Sequence, residues 1–193
     1  MRKLSIERAM IEVNDKERLL ELLVSKALEM RRVTLSSGRT SDYYMDCKRV
    51  TLSAEGAYLT AKLMLDMIGS DVSAVGGLTL GADPIVSSIA VLSHLQGRDL
   101  AALIVRKEAK KHGTMSYVEG PALEKGAKVA VVEDVVTSGA SLLKAIERIA
   151  AAGYQPVQAL TILDRQEGGS EAIRERGYVL QALFSRNDLN KNI

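Results

Sequence analysis

With only one cysteine, Cys47, among 193 residues, no disulfide can form within the chain, and neither a CxxC pair nor a Cys/His group at zinc-binding spacing occurs. A reducing compartment is the simplest expectation, and the cytoplasm follows from it. Charge of one sign is also lacking. The 26 Lys and Arg stand against 24 Asp and Glu, and a net charge of +2 has none of the global basic signal of nucleic-acid binders. Any basic site must therefore be local. No apolar run reaches the roughly 18 residues of a membrane-spanning helix. Met1 to Met10 mixes Arg2, Lys3, Glu7 and Arg8 with apolar residues and so lacks the uninterrupted apolar centre of a secretory signal. No nucleic acid and no membrane is expected as a partner. There is no Gly-Lys dipeptide, hence no Walker phosphate loop, and no GxGxxG follows a strand.

What is present suits one substantial core: 47% apolar residues, mean hydropathy near zero, and no repeat, low-complexity tract or Pro/Gly/Ser-rich linker. A single domain over 1–193 is expected. Leu19, Leu20, Leu22, Leu23, Ala27 and Leu28 recur at helical spacing and predict an amphipathic helix from Asn14 to Met30, capped by Asn14 or Asp15. Between Val33 and Val50, Ser36, Ser37, Gly38 and the Tyr43-Tyr44 pair break that spacing and predict extended strands with turns. A second helix is predicted from Ser53 to Met67, followed by strands at Val72–Gly76, Leu100–Val105, Val129–Asp134 and Val157–Leu163, separated by helices. One of these helices opens with Asp83 as N-cap and Pro84 at its first position; another ends at Gly153. Strands that are apolar throughout and separated by helices demand a parallel sheet covered on both faces. The fold class is therefore α/β, an open, mainly parallel sheet flanked by helices (about 53–193), with an N-terminal helix and hood (about 1–52). Ligands of such sheets bind beyond the carboxyl ends of the strands.

One of those ends carries Val129-Ala130-Val131-Val132-Glu133-Asp134-Val135-Val136-Thr137-Ser138-Gly139-Ala140-Ser141. A buried strand ends in two acids, and a hydroxyl-rich turn then opens a helix. Backbone N–H groups at the helix start, with the hydroxyls of Thr137, Ser138 and Ser141, can surround a phosphate, and the helix dipole favours its charge. Gly139 allows close backbone approach. Glu133 and Asp134 suit the paired hydroxyls of a ribose, which are donors in need of anionic acceptors. This stretch closely resembles the phosphoribosyl pyrophosphate (PRPP) signature of the type I phosphoribosyltransferases. The resemblance implies that fold and a PRPP site running from Glu133 to Ser141, Val135, Val136 and Ala140 included.

A second segment packs five basic side chains, Arg106, Lys107, Lys110, Lys111 and His112, into seven positions after the strand ending at Val105. Transfer from PRPP expels pyrophosphate, so cations that meet the growing charge lower the barrier. Together with the PRPP signature, Arg106-Lys107-Glu108-Ala109-Lys110-Lys111-His112-Gly113 resembles the catalytic loop of the orotate phosphoribosyltransferases. That implies PRPP contacts from Arg106, Lys107, Lys110 and His112, with Lys110 the main catalytic lysine, and a homodimer in which the loop is shared between subunits. Lys111 and His94 carry no such role. Ser36-Ser37-Gly38-Arg39-Thr40-Ser41-Asp42-Tyr43-Tyr44 resembles the hood motif of the same family, which implies that Tyr44 and Met45 line the orotate ring. Orotate is a flat pyrimidine bearing a carboxylate, which the planar fork of an arginine matches. Arg165, in the family-like Asp164-Arg165 segment, is implied as that arginine, and Thr137 as a residue touching both ligands.

The resemblance runs from about Leu19 to Asp188 and departs from the family at two lysines. Ser36 stands where several members carry one, and the loop Gly77-Leu78-Thr79-Leu80-Gly81-Ala82 has no other. There the N–H groups of Thr79 to Ala82 and the N-terminus of the Pro84 helix are expected to meet pyrophosphate instead. Mg²⁺ is expected to arrive with PRPP, since no carboxylate cage is apparent. The implied reaction joins orotate and PRPP into orotidine 5'-phosphate and pyrophosphate on the way to UMP. Two alternatives are a phosphoribosyltransferase for another nucleobase and a non-catalytic PRPP-responsive regulator.

Overall fold

The computed structural model describes residues 14–34, 40–109 and 116–191. The first helix, α1, spans residues 14–22 and continues as one π-helical turn, Leu23–Ala27. It stops short of Met30 because Leu28–Glu29 becomes a strand, β1, paired antiparallel with β4 (Tyr44–Met45). Between them, β2 (Val33–Thr34) pairs with β3 (Thr40–Ser41). The hood is thus two short antiparallel ribbons, as the broken periodicity predicts for its described part; Ser36, Ser37, Gly38 and Arg39 lie outside the described residues.

A four-residue helix, α2 (Lys48–Thr51), leads into α3 (Ala54–Met67), whose N-cap Ser53 accepts a hydrogen bond from the Gly56 N–H at 3.2 Å. The central sheet then forms from β5 (Ala74–Leu78), β6 (Ala101–Val105), β7 (Val118–Glu119), β8 (Lys128–Val136), β9 (Gln155–Asp164) and β10 (Leu180–Ser185), in the order β10-β9-β8-β5-β6-β7. All neighbours run parallel except β6 and β7. The expected mainly parallel sheet is present, with an antiparallel edge strand that apolar patterning did not reveal. Helices α4 (Asp83–Leu95), α5 (Ala140–Ala151), α6 (Gly169–Glu175) and α7 (Arg186–Asn190) complete the element order.

Two boundaries differ from expectation in ways that matter for the site. The strand expected to end at Asp134 runs on to Val136, because Val135 and Val136 pair with Leu163 and Asp164 of β9. The acids therefore lie within the strand and the hydroxyl turn starts beyond them. The N-cap of α4 is Ala82, not Asp83; Asp83 and Pro84 fall inside its first turn, and the Asp83 carboxylate accepts the Thr79 hydroxyl at 2.7 Å.

Alternation along β8 shows why both faces are covered. Ala130 and Val132 join the core beneath α3, α4 and the hood, while Val129 and Val131 join the core beneath α5 and α6. On α5, Leu142, Ala145, Ile146 and Ile149 are buried, and each large side chain contributes about 1.5–3 kcal/mol. That face pins α5 to the sheet and leaves its N-terminus as a fixed platform at the carboxyl end of β8. Among the described residues no helix is long and apolar enough to cross a membrane.

Candidate active site

The turn between β8 and α5 forms the floor of a polar cleft lined by Glu133 and by Val135 through Leu142. Gly139 is the N-cap of α5 with φ 79°, a left-handed conformation that other residues adopt only with strain. Ser138, Ala140 and Ser141 are exposed and Thr137 is half-buried, so hydroxyls and helix-start N–H groups face outward together. Exposed hydroxyls beside the start of a helix are chemically suited to an anion.

Glu133 and Asp134 point to opposite sides of β8 and sit in different surroundings. Glu133 is buried; its Oε1 accepts the Asp134 N–H at 3.2 Å, and its Oε2 has no hydrogen-bond partner among the described residues. Burial, then the neighbouring Asp134 charge, holds its carboxyl well above the usual carboxylate range. An unmet buried acceptor in a polar cleft is what a ligand hydroxyl would complete. Asp134 is more open. Its Oδ1 accepts the Val135 N–H at 2.9 Å and lies so close to Gly81 that a Cβ there would fall 2.6 Å away. Its Oδ2 faces Lys48 Nζ at 4.0 Å, and that ammonium also holds Asp46 Oδ1 at 2.6 Å. Burial pulls the Lys48 ammonium down, but the Asp46 hydrogen bond and the charges of Asp134 and Asp46 outweigh it, so its pKa is raised.

The loop joining β5 to α4 uses two of its expected anion-binding groups internally. The Thr79 N–H donates to Val105 O at 2.8 Å and the Ala82 N–H to Leu78 O at 3.3 Å. Of the four N–H groups expected to meet pyrophosphate, those of Leu80 and Gly81 keep no partner among the described residues.

Arg106 and Lys107 line a cavity shared with Thr79, Ile104, Glu108 and Glu119. Arg106 Nη1 donates to Glu119 Oε1 at 3.3 Å. The basic segment is tied down on both sides by Arg148 of α5, which donates to the Arg106 carbonyl, donates to the Lys107 carbonyl at 3.0 Å, and stacks on the Tyr117 ring at 4.0 Å. Lys110 and His112 lie outside the described residues. His94 is exposed and bound to Asp99 at 2.7 Å, which agrees with its having no assigned role.

At the other edge of the turn, Arg165 N–H donates to Val136 O at 3.0 Å, which places the arginine directly beside the phosphate turn. Its guanidinium is 2% exposed: Nε donates to Glu167 Oε1 at 3.0 Å, Nη2 donates to Ser41 Oγ at 2.6 Å, and the plane lies over the Tyr43 ring at 4.1 Å. Tyr43 is buried beneath it, with its hydroxyl pushed above the ordinary tyrosine range by burial. The hood thus joins the last long strand through Tyr43, whose packing of the hood onto the core the sequence left open as a reading, and through Ser41, which the sequence did not mark for this contact. Tyr44 is half-buried with Arg31 over its ring at 4.7 Å, while Met45 packs into the core. Cys47 is fully buried, and burial followed by the Asp134 charge raises its thiol well above the usual range, so it supplies no nucleophile.

A mainly parallel sheet, an acid pair on its central strand and a hydroxyl turn opening a helix define a phosphoribosyltransferase, and residues 75–179 match the Phosphoribosyl transferase domain. A curated relative from Thermosynechococcus vestitus, an orotate phosphoribosyltransferase, is 53% identical over 174 residues, 90% of this chain and 92% of its own. Among solved structures, the orotate phosphoribosyltransferase of Mycobacterium tuberculosis H37Rv in complex with Fe(III) dicitrate superposes with a TM-score of 0.79 at 40% identity, covering 91% of this chain and 98% of that one. The same enzyme in complex with PRPP gives 0.75 at 37% identity, covering 91% and 99%. The chain belongs to the orotate phosphoribosyltransferase family.

Proposed function

We propose that the chain transfers the phosphoribosyl group of PRPP to orotate, giving orotidine 5'-phosphate and pyrophosphate for UMP synthesis. The observation that carries this reading is the adjacency of two recognition elements: the acid and hydroxyl turn at the end of β8, and a buried arginine hydrogen-bonded through its backbone to Val136 of that turn.

The 5'-phosphate sits on Thr137 to Ser141 at the start of α5, and Glu133 and Asp134 accept the ribose hydroxyls. Arg165 pairs with the orotate carboxylate beside Thr137, with Tyr44 and Met45 of the hood toward the ring. Orotate nitrogen then bonds to the anomeric carbon as the bond from that carbon to pyrophosphate breaks through an oxocarbenium-like state, and the ring N–H proton passes to the departing pyrophosphate. Orientation and charge stabilisation by Arg106, Lys107, Lys110 and His112 supply most of the acceleration, with Lys110 foremost.

Mg²⁺ fits as a companion of PRPP: Asp134 is the acid of the pair open enough to meet the ion's water shell. Bound that way, it would neutralise part of the pyrophosphate charge. The family's loop arrangement further supports a homodimer in which Lys110 and His112 reach the neighbouring subunit, and the single cysteine supports the cytoplasm as the working compartment. Light scattering reads the dimer directly.

The test of the reaction is orotate consumption, followed by ultraviolet absorbance, with PRPP and Mg²⁺. Wild type is compared with Lys110→Ala and Arg165→Ala, and uracil, adenine and hypoxanthine are offered in parallel. Turnover confined to orotate and crippled by both substitutions is expected. Turnover of another base would reassign the substrate, and PRPP binding without turnover on any base would make the protein a PRPP-responsive regulator.

A further inference from the structure

The pyrophosphate half of PRPP needs more positive charge than the loop nearest to it provides. Residues 77–82 contain no basic side chain, and among their backbone donors only the Leu80 and Gly81 N–H groups are unengaged within the described residues. The same corner holds the Asp134 carboxylate, pressed against Gly81, and the Asp46 carboxylate across from it. Without cations from outside the loop, a polyanion entering there would meet two carboxylates and two neutral donors; Arg49 offsets Asp46 from 4.0 Å.

Among the described residues one ammonium sits at this corner. Lys48, the first residue of α2, extends between Asp46 and Asp134, and its side chain remains 35% exposed. Asp134 presses its carboxylate against Gly81 and turns Oδ2 to Lys48 as well, so the ammonium and the Gly81 backbone lie beside the same carboxylate. The contact with Asp46 is a close ion pair at 2.6 Å, whereas that with Asp134, at 4.0 Å, is a loose one and leaves the ammonium able to turn toward an incoming anion. Asp46 is positioned to hold it in place during that turn.

We propose that Lys48 is a pyrophosphate-binding residue: its ammonium, held by Asp46, joins the Leu80 and Gly81 N–H groups in gripping the pyrophosphate of PRPP from the hood side, opposite Arg106 and Lys107. The inference rests on the PRPP reading of the site and adds to it a residue outside the phosphate turn and the basic segment. It makes the hood a reader of both substrates, with Ser41 and Tyr43 bracing the arginine and Lys48 the leaving group. It also gives Asp46 a positioning role.

Magnesium pyrophosphate titrated calorimetrically into wild type, Lys48→Met and Lys48→Arg tests it without requiring turnover, and steady-state kinetics with orotate and PRPP accompany the titration. Lys48→Met should weaken pyrophosphate binding and raise the KM for PRPP about tenfold or more, the cost of one charge-assisted contact. The KM for orotate and the melting temperature should stay near wild type, and Lys48→Arg should recover much of the loss. A wild type that turns over orotate while Lys48→Met binds pyrophosphate equally well overturns the role of Lys48 alone. A wild type that binds neither PRPP nor pyrophosphate overturns the site reading and this inference together. Equal losses toward orotate and pyrophosphate, with a fall in melting temperature, would make Lys48 a structural residue and refute the proposal.

Discussion

Replacing Glu133 by glutamine should make the protein more stable at neutral pH and a poorer PRPP binder. In the native state one carboxylate oxygen is satisfied by the Asp134 N–H and the other is buried without a partner among the described residues. Burial and the adjacent Asp134 charge raise the folded pKa above its ordinary 4.5, so the folded protein binds more protons than the unfolded chain from that pH upward. Stability therefore falls as pH rises from 4.5 to the folded value, and the full penalty persists above it. Glutamine keeps the volume and the oxygen that accepts the Asp134 N–H, and removes the charge. A buried polar group without a partner costs about 1–3 kcal/mol and a charged one more, so a gain of about 1–2 kcal/mol at pH about 8 is expected. For a chain of this length that is a rise of about 2–8 °C in Tm. Loss of an anionic acceptor for the ribose should weaken PRPP binding by about 1.5–3 kcal/mol, or about 10- to 150-fold. Thermal unfolding of both proteins across the pH range, with calorimetric titration of PRPP, reads both effects. The stability gap should be smallest near pH 4.5 and widen to a plateau. A variant less stable than wild type throughout, or a gap independent of pH, would refute the account.

Three further substitutions test other parts of the site. Arg165→Lys keeps the charge but cannot span Glu167 and Ser41 at once, so orotate turnover should fall more than about tenfold while PRPP affinity in titration stays unchanged. Arg148→Leu removes both carbonyl contacts and the Tyr117 stack; the KM for PRPP should rise several-fold and Tm should drop by about 2–4 °C, measured by steady-state kinetics and calorimetry. Gly81→Ala would put a methyl 2.6 Å from Asp134 Oδ1, so about 1–3 kcal/mol of PRPP affinity should be lost as the acid is displaced, seen by titration.

Periodicity and turn chemistry made the framework legible. Apolar strands separated by helices require a parallel sheet covered on both sides, and Thr137 to Ser141 lie where that pattern puts them. Contacts that join distant segments left no local trace. Arg165 meets Ser41 across 124 positions, and Arg148 meets the Arg106 carbonyl across 42. Lys48 lay hidden for the same reason: within a short polar stretch nothing distinguishes a solvated lysine from one folded against Asp134. The end of β8 was misjudged because its last two residues are held by β9, and the cap of α4 because Asp83 accepts a bond from the Thr79 side chain rather than from its own helix.

Arg165 is dehydrated by folding itself, since Glu167, Ser41 and Tyr43 of the same chain enclose its guanidinium. Stripping water from that cation is thus charged once, to the packing of the hood against β9, and is not repeated at each encounter with substrate. In the proposed reaction an arriving orotate sheds only its own hydration and gains a strong pairing in a water-poor setting. On that proposal uracil would bring no carboxylate to Arg165, so discrimination between the two bases would rest on packing set during folding, and any lesion that lets solvent under the hood should blur it.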